Sequence, residues 1–351
     1  EVANLRPYDK SGINVVEAPK DTNAAFDKLR VQRGAGFTQS FQGLKHENTA
    51  NNLYKMSPGF NTANANLFMD VQLAEGIRLN LTSYLSARHH NETWVKGGYI
   101  QFDKLPFKGQ IWEDIMKITT IKVGHMEINY GDQHFRRSDG GHTIYNPFVE
   151  NYILDAFTTE IGGEVLVRKN GLFGMLGVSN GMIKGNIDSL IATPQDANIH
   201  KSPAVYLKGG VDKQLNEDVR LRLSASYYTN KSSGGQTLYA GDRTGSNYFM
   251  TMEKVGSTAA AQFTSGRVNP GFSKKVDAIM LNAFAKAKGL ELFGTYEVAE
   301  GRTKTETADR KATQYAIDAI YRLGKAENLF VGVRYNALDY RPAGVTGAAP
   351  I

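Results

Sequence analysis

The sequence predicts an all-β chain, a transmembrane antiparallel β-barrel of the outer-membrane type with 14 or 16 strands, long loops at one end and short turns at the other. Three observations predict it. Apolar and polar residues alternate over segments of ten or more residues, short and long connections take turns along the chain, and the alternating segments are longer than a soluble sheet needs. Side chains on a strand point to opposite faces in turn, so each such segment carries one apolar and one polar face. In a barrel spanning lipid the apolar face points outward and the polar face lines the interior.

Composition narrows the choice. The 351 residues are 41% hydrophobic, and no apolar run approaches the roughly 20 residues of a membrane helix. There are no cysteines, which removes disulfides, thiolate metal sites and cysteine nucleophiles. The formal charge of +6 leans toward anionic partners, without the Lys/Arg blocks that point to nucleic acid. The sequence opens on Glu1 without a methionine or an apolar leader core, and it is read as a processed chain.

Residues 1–28 are polar, with Pro7 and Pro19, and are expected to form an N-terminal extension, periplasmic or luminal. The barrel is placed at 29–351. In IRLNLTSYLSAR, Ile77, Leu79, Leu81 and Leu85 oppose Arg78, Asn80, Thr82 and Arg88; in FTTEIGGEVLVR, Phe157, Ile161, Val165 and Val167 oppose Glu160, Glu164 and Arg168. VRLRLSASYY sets Val219, Leu221, Leu223, Ala225 and Tyr227 against Arg220, Arg222, Ser224, Ser226 and Tyr228. QYAIDAIYRL and LFVGVRYNAL repeat the pattern, with Asp318, Arg322 and Arg334 on the polar side. Segment 93–103 is ambiguous, because one parity turns Lys96 outward and the other Gln101. DAIMLNAFAKAK (277–288) also suits a helix, but the turn and alternating run after it favour a strand.

Tight turns fall at Glu75-Gly76, Lys169-Asn170-Gly171, Gln214 to Asp218, Lys288-Gly289 and Gly324 to Asn328, and between them lie polar loops at 46–63, 132–152, 185–200, 231–274 and 302–310. A strand of twelve residues rises roughly 40 Å and, tilted by about 40°, spans roughly the 30 Å of a hydrocarbon core. Aromatics near strand ends (Trp94, Phe102, Tyr227, Tyr228, Tyr321, Tyr335) suit interfacial girdles. Thirteen strands are counted from Leu29. Bacterial single-chain barrels usually hold an even number, so a strand at 245–254, or strands beyond Ile351, is expected in addition.

At IKVGHMEINYGD (121–132) and GLFGMLGVSNG (171–181) the chain resembles the phosphate-selective porin family of Gram-negative outer membranes. Gly177, Val178, Asn180 and Gly181 match that family's G-V-x-N-G strand end, LELFGTYE (290–297) looks like its late strands, and RPYDKSGINVVE resembles the N-termini of porins from Bacteroidota-type bacteria. The resemblance implies a barrel of about 16 strands, often trimeric, with a loop folded into the lumen. By position that loop is 132–152. The family's ladder of lysines and arginines is not recognisable here residue for residue.

The candidate chemistry is therefore that of a pore. The expected constriction residues are Asp132, Arg136, Arg137 and Asp139, whose opposed charges would set a transverse field. The expected lumen lining is Arg78, Arg88, Glu160, Glu164, Arg168, Arg220, Arg222, Asp318, Arg322 and Arg334. Rings of arginine favour anions, while pairing with carboxylates on neighbouring strands would leave only a polar wall. His125, Glu127, His134 and His142 lack a demonstrable third ligand at fixed geometry, so no metal and no cofactor are expected. No G-x-S-x-G elbow, Walker loop or Rossmann fingerprint is present, and no enzyme activity is expected. The expected function is passive diffusion of small hydrophilic solutes with weak anion preference. Its alternative is an accessory barrel within a larger outer-membrane assembly, with the lumen plugged by residues 1–28 or by loop 231–274. Expected partners are membrane lipid and lipopolysaccharide, small hydrophilic solutes or anions, and a homotrimer or outer-membrane protein complex.

Overall fold

A computed structural model of the protein describes residues 10–20, 25–61, 63–85, 93–138, 143–148, 151–185, 189–240 and 250–344. Its strands are β1 (Arg30–Thr38), β2 (Phe41–Gln42), β3 (Gly59–Phe60), β4 (Asn64–Ala74), β5 (Ile77–Leu85), β6 (Thr93–Phe102), β7 (Thr119–Glu127), β8 (Thr159–Lys169), β9 (Leu172–Ser179), β10 (Ala204–Gln214), β11 (Val219–Asn230), β12 (Lys275–Ala287), β13 (Leu290–Arg302), β14 (Arg310–Leu323) and β15 (Leu329–Tyr340). A short helix α1 (Gln110–Met116) precedes β7. No helix among the described residues is long and apolar enough to cross a membrane.

Thirteen of these strands form one antiparallel sheet in the order β1-β4-β5-β6-β7-β8-β9-β10-β11-β12-β13-β14-β15, and β2 and β3 make a small separate hairpin. Among the described residues the sheet holds thirteen strands, the number counted from the sequence, and the additional strands expected for an even total of 14 or 16 are not seen there. Residues 245–249 of the additional strand lie outside them, and Lys254 makes only an isolated bridge to Leu53. Because every neighbouring pair is antiparallel, an odd number of strands leaves the edges β1 and β15 running the same way. No ladder joins them among the described residues.

The alternation divides the two faces as the sequence predicts. Leu223 is 57% exposed, Ile317 55% and Val333 74%, while their sequence neighbours Arg222, Ser224 and Asp318 are buried on the other face. Two aromatic assignments change. Tyr228 shares the parity of Arg222 and is fully buried inside rather than in an outer girdle; Phe157 precedes β8 and is buried in the preceding loop. The ambiguity of segment 93–103 also resolves. The β5–β6 register skips Lys96, pairing Thr82 with Gly97 and Ser83 with Val95. This bulge, one extra residue on one strand, shifts parity mid-strand. Val95 is exposed, Lys96 reaches the ring of Phe157 at 5.2 Å, and Gln101 is buried.

The turns follow local chemistry. Asn170 and Gly171 carry φ of 53° and 81°, the left-handed pair that a two-residue hairpin needs and that Asn-Gly adopts at low cost. Helix α1 and the turn at Gly76 close the same end of the sheet, where Asp103 and Lys104 donate backbone N–H groups to the Gly76 carbonyl.

Gly177 lies on the inner face of β9 directly beneath the ring of Tyr206, where a β-carbon would collide with the ring. Because Tyr206 is fully buried, it has little room to move. Gly177→Ala is expected to destabilise the fold by about 1–3 kcal/mol, as overpacking does. The urea midpoint of the folded, detergent-solubilised chain measures this, and an unchanged midpoint would show that the ring can yield.

Candidate functional site: the filled concave face

The inner face of the sheet is occupied by the chain itself. The described parts of the connection between β7 and β8, residues 128–138, 143–148 and 151–158, fold into the concavity. A segment buried this way must have its backbone polar groups satisfied, and the inner-face side chains do this. Ser226 Oγ accepts from Gly131 N at 3.0 Å, Asn282 Oδ1 from Asp132 N at 2.8 Å, and Asn336 Oδ1 from Ile153 N at 2.8 Å. Gln314 acts on Leu154 like a ladder partner, accepting from its N–H at 2.8 Å and donating to its carbonyl at 2.8 Å. Tyr152 donates to Asp318 at 2.6 Å and Tyr130 to Glu297 at 3.1 Å. Near the loop end, part of the long 231–274 connection also turns inward. Leu238 is fully buried, and the Tyr239 hydroxyl shares Glu297 at 2.6 Å.

At the turn end, residues 10–20 cross the concavity as a strap. Lys10 donates to the Ala326 carbonyl, Asn14 donates to Glu291 at 2.9 Å, and the Arg220 guanidinium donates to the Asn14 carbonyl at 2.7 Å. Beyond Glu17, Arg78 donates to the Pro19 carbonyl at 3.1 Å and Lys20 to that of Thr119. The strap thus runs from the β14–β15 turn to the ends of β5 and β7. Between these anchors lies the most charged part of the interior. Arg222 uses all five N–H donors: Nε and Nη2 grip Asp132 at 2.8 and 2.9 Å, Nη1 and Nη2 grip Glu17 at 3.0 and 2.8 Å, and Nη1 also reaches Asp212 at 3.0 Å. Only the planar fork of arginine serves carboxylates on three sides in this way. Lys208 Nζ adds Asp132 at 2.5 Å and Glu17 at 3.5 Å, and Arg168 Nη2 stands 3.6 Å from Glu17.

These surroundings set the state of the two carboxyls. Burial alone would raise the pKa of Glu17, but the Lys208 and Arg222 charges outweigh it and hold it down from 4.5 to about 2. Asp132 is held below the usual carboxylate range by the same two cations, again against burial.

Most of the residues expected from sequence converge here. Asp132 anchors the inward loop to β10 and β11. Arg136 lies between Asn14 (3.1 Å), Glu291 (3.4 Å) and the rings of Phe284 and Phe293. Arg137 is paired with Asp155 and stacks on Phe157 at 4.1 Å. The charges therefore meet fixed partners instead of facing one another across open water. Asp139 and Arg88 lie outside the described residues. Arg78 pairs with Asp103 at 2.8 Å, Arg220 with Asp212 at 2.7 Å, Arg322 with Glu291 at 3.0 Å and Arg334 with Asp318 at 2.6 Å. Glu164 pairs with Lys122 at 3.3 Å, and Glu160 accepts from Ser179 and from Tyr228. His134 bonds Glu127, His142 lies outside the described residues, and among those residues no group of three metal-ligating side chains occurs.

Sequence reading missed Glu17, Asp103, Lys208, Asp212 and Glu291. Three of these carried a signal: Lys208 and Asp212 share the inner parity of Tyr206, and Glu291 that of Glu297. Glu17 sits in a segment without periodicity, where nothing local marks it.

No protein-family model and no curated protein matches the chain. Among solved structures it is similar to an anion-selective porin from Comamonas acidovorans, at 11% identity over 90% of this chain and 80% of that one, with a TM-score of 0.49. It is also similar to the in-vitro folded trimer form of OmpT, an outer membrane protein of Vibrio cholerae (12%, 93% and 94%, TM-score 0.37), and to Salmonella typhi OmpF in complex with daunomycin (9%, 88% and 97%, TM-score 0.34). With TM-scores below 0.5, these likenesses carry no weight for the function of the chain.

Two outcomes test the site. Gln314→Leu leaves the Leu154 N–H without its acceptor and its carbonyl with only the 3.5 Å bond from Gln133, and is expected to destabilise the inward loop by about 1–3 kcal/mol, measured as faster amide exchange at Leu154. The folded-state pKa of Glu17 lies below its ordinary value, so its stabilisation is present above about pH 4.5 and lost as pH falls toward about 2. A spin label at Ala18→Cys is expected to be immobile at pH 6 and mobile near pH 2. Glu17→Gln should abolish that pH dependence.

Proposed function

We propose that this chain is an outer-membrane porin through which small hydrophilic solutes diffuse passively, with a weak preference for anions. One observation carries the reading: along the sheet an exposed aliphatic and aromatic face backs onto a face of paired arginines, lysines, carboxylates and tyrosine hydroxyls. A soluble sheet would bury the first and wet the second; only a lipid surround reconciles such an exterior with a charged interior. The setting is then the outer membrane of a Gram-negative bacterium, with lipid and lipopolysaccharide against the outer face and the loop ends outward. Loop 128–158, with Asp132, Arg136 and Arg137, narrows the path. Anion preference is weak because most inward arginines share their charge with a carboxylate.

A second reading, a plugged accessory barrel within a larger assembly, is favoured by the strap at residues 10–20. The cavities flanking Ile13 are about 20 Å³ each, too small for a solute.

Purified protein in a planar bilayer separates the two. A stable conductance, with a reversal potential displaced to the anion side in a KCl gradient, is the expected result. Silence from folded, heat-modifiable protein would overturn the pore reading and favour the accessory barrel. In lipid, Leu223→Arg is expected to cost about 2–4 kcal/mol if this position lies near the bilayer midplane, read from urea unfolding in liposomes.

A further inference from the structure

The strap holds one carboxylate where a free one would fit. Glu17 is 7% exposed. Its two oxygens take a bidentate pair from Arg222 at 2.8 and 3.0 Å and one N–H from Asn129 at 3.4 Å, with Lys208 at 3.5 Å and Arg168 at 3.6 Å. The seat is not saturated: Arg168 Nη2 is buried without a hydrogen-bond partner among the described residues. Beside it, toward the turn end, lies a cavity of about 380 Å³ lined by Asn14 to Glu17, Pro19, Arg168, Phe173, Asp212, Arg220 and Arg222. That volume exceeds what a small organic acid fills. The strap itself is held by hydrogen bonds to side chains and isolated carbonyls, not by a sheet ladder.

We infer that Arg168, Lys208 and Arg222 form a binding seat for a small carboxylic acid, and that Glu17 occupies it as a ligand built into the chain. The strap and the solute then compete for the same cations. Removing the Glu17 carboxylate leaves Asp132 in place on Arg222 and Lys208, so the loop keeps its anchor while Arg168 and one edge of the Arg222 fork become free. A bidentate fork matches the flat carboxylate that it now holds. The inference rests on the reading of the interior as a solute path, but the seat is testable without a membrane.

The experiment is calorimetric titration of detergent-solubilised, heat-modifiable protein with glutarate, whose end groups resemble the glutamate side chain. Inorganic phosphate serves as the second anion. Glu17→Ala is expected to bind glutarate at least tenfold more tightly than the unaltered chain, and the double variant Glu17→Ala/Arg168→Met is expected to lose that gain. Glu17→Gln, which keeps the shape of the side chain, should follow Glu17→Ala and serves if the alanine variant does not fold. Equal affinity in unaltered and variant protein, or no binding to either Glu17 variant, overturns the inference. Tighter binding of phosphate than of glutarate to the variants overturns the carboxylate assignment. Failure of the pore reading is distinct, because it appears as a silent bilayer whatever the titration gives.

Discussion

Arg222 connects four parts of the chain that are far apart in sequence. From β11 it reaches Asp132 in the inward loop, Glu17 in the strap and Asp212 on β10, with its guanidinium lying 4.3 Å from the ring of Phe173 on β9. Each of its donors has a carboxylate oxygen, so the group is fixed in orientation as well as position. The loop and the strap enter the concavity from opposite ends and meet on this one side chain. At this point the two are joined by charge, while Ile128, Tyr130, Leu154 and Ala156 of the loop also pack into the buried apolar cluster.

Such a network is a poor source of net stability. Taking charges out of water costs about as much as their mutual attraction returns, and well-packed apolar groups of the same volume often do as well. Its effect is positional, because a partner left alone in the interior is costly and the arrangement tolerates few alternatives. The neutral contacts behave the same way. Gln314, Asn282, Asn336 and Ser226 supply the hydrogen bonds that a neighbouring strand would give, so Gly131, Asp132, Ile153 and Leu154 of the loop lie against the sheet without joining its ladder. Polar side chains on the inner parity thus have a structural task, holding the loop's backbone.

The strands, their faces and their turns were legible in the sequence because each is a local matter of period two and turn chemistry. Leu221, Leu223, Ile317 and Val333 point outward as their parity requires. The exceptions also have local causes: the bulge at Lys96 reverses parity in mid-strand, and Tyr228, on the same parity as Arg222, is buried inside although its place near a strand end suits an outer girdle. The site was half legible. Parity found the arginines and one partner, Asp318 for Arg334, but not the others, because which carboxylate meets Arg222 or Arg322 depends on strand neighbours and on where a loop folds. For Glu17 no local signal exists, since its partners lie on β8, β10 and β11 and its own segment has no regular structure.

The strap has a bearing on how the molecule assembles. Glu17 and Arg222 are separated by 205 residues, and Lys10 and Ala326 by 316. Contacts this distant form slowly, because the intervening chain must be organised before they are rewarded. The seat for Glu17 exists only once β10 and β11 are paired and the β7–β8 loop has turned inward. The strap, which comes before every strand in the sequence, is then among the last parts to find its place. Until it does, Arg168, Lys208 and Arg222 have Asp132 and Asp212 but not Glu17 to share among them.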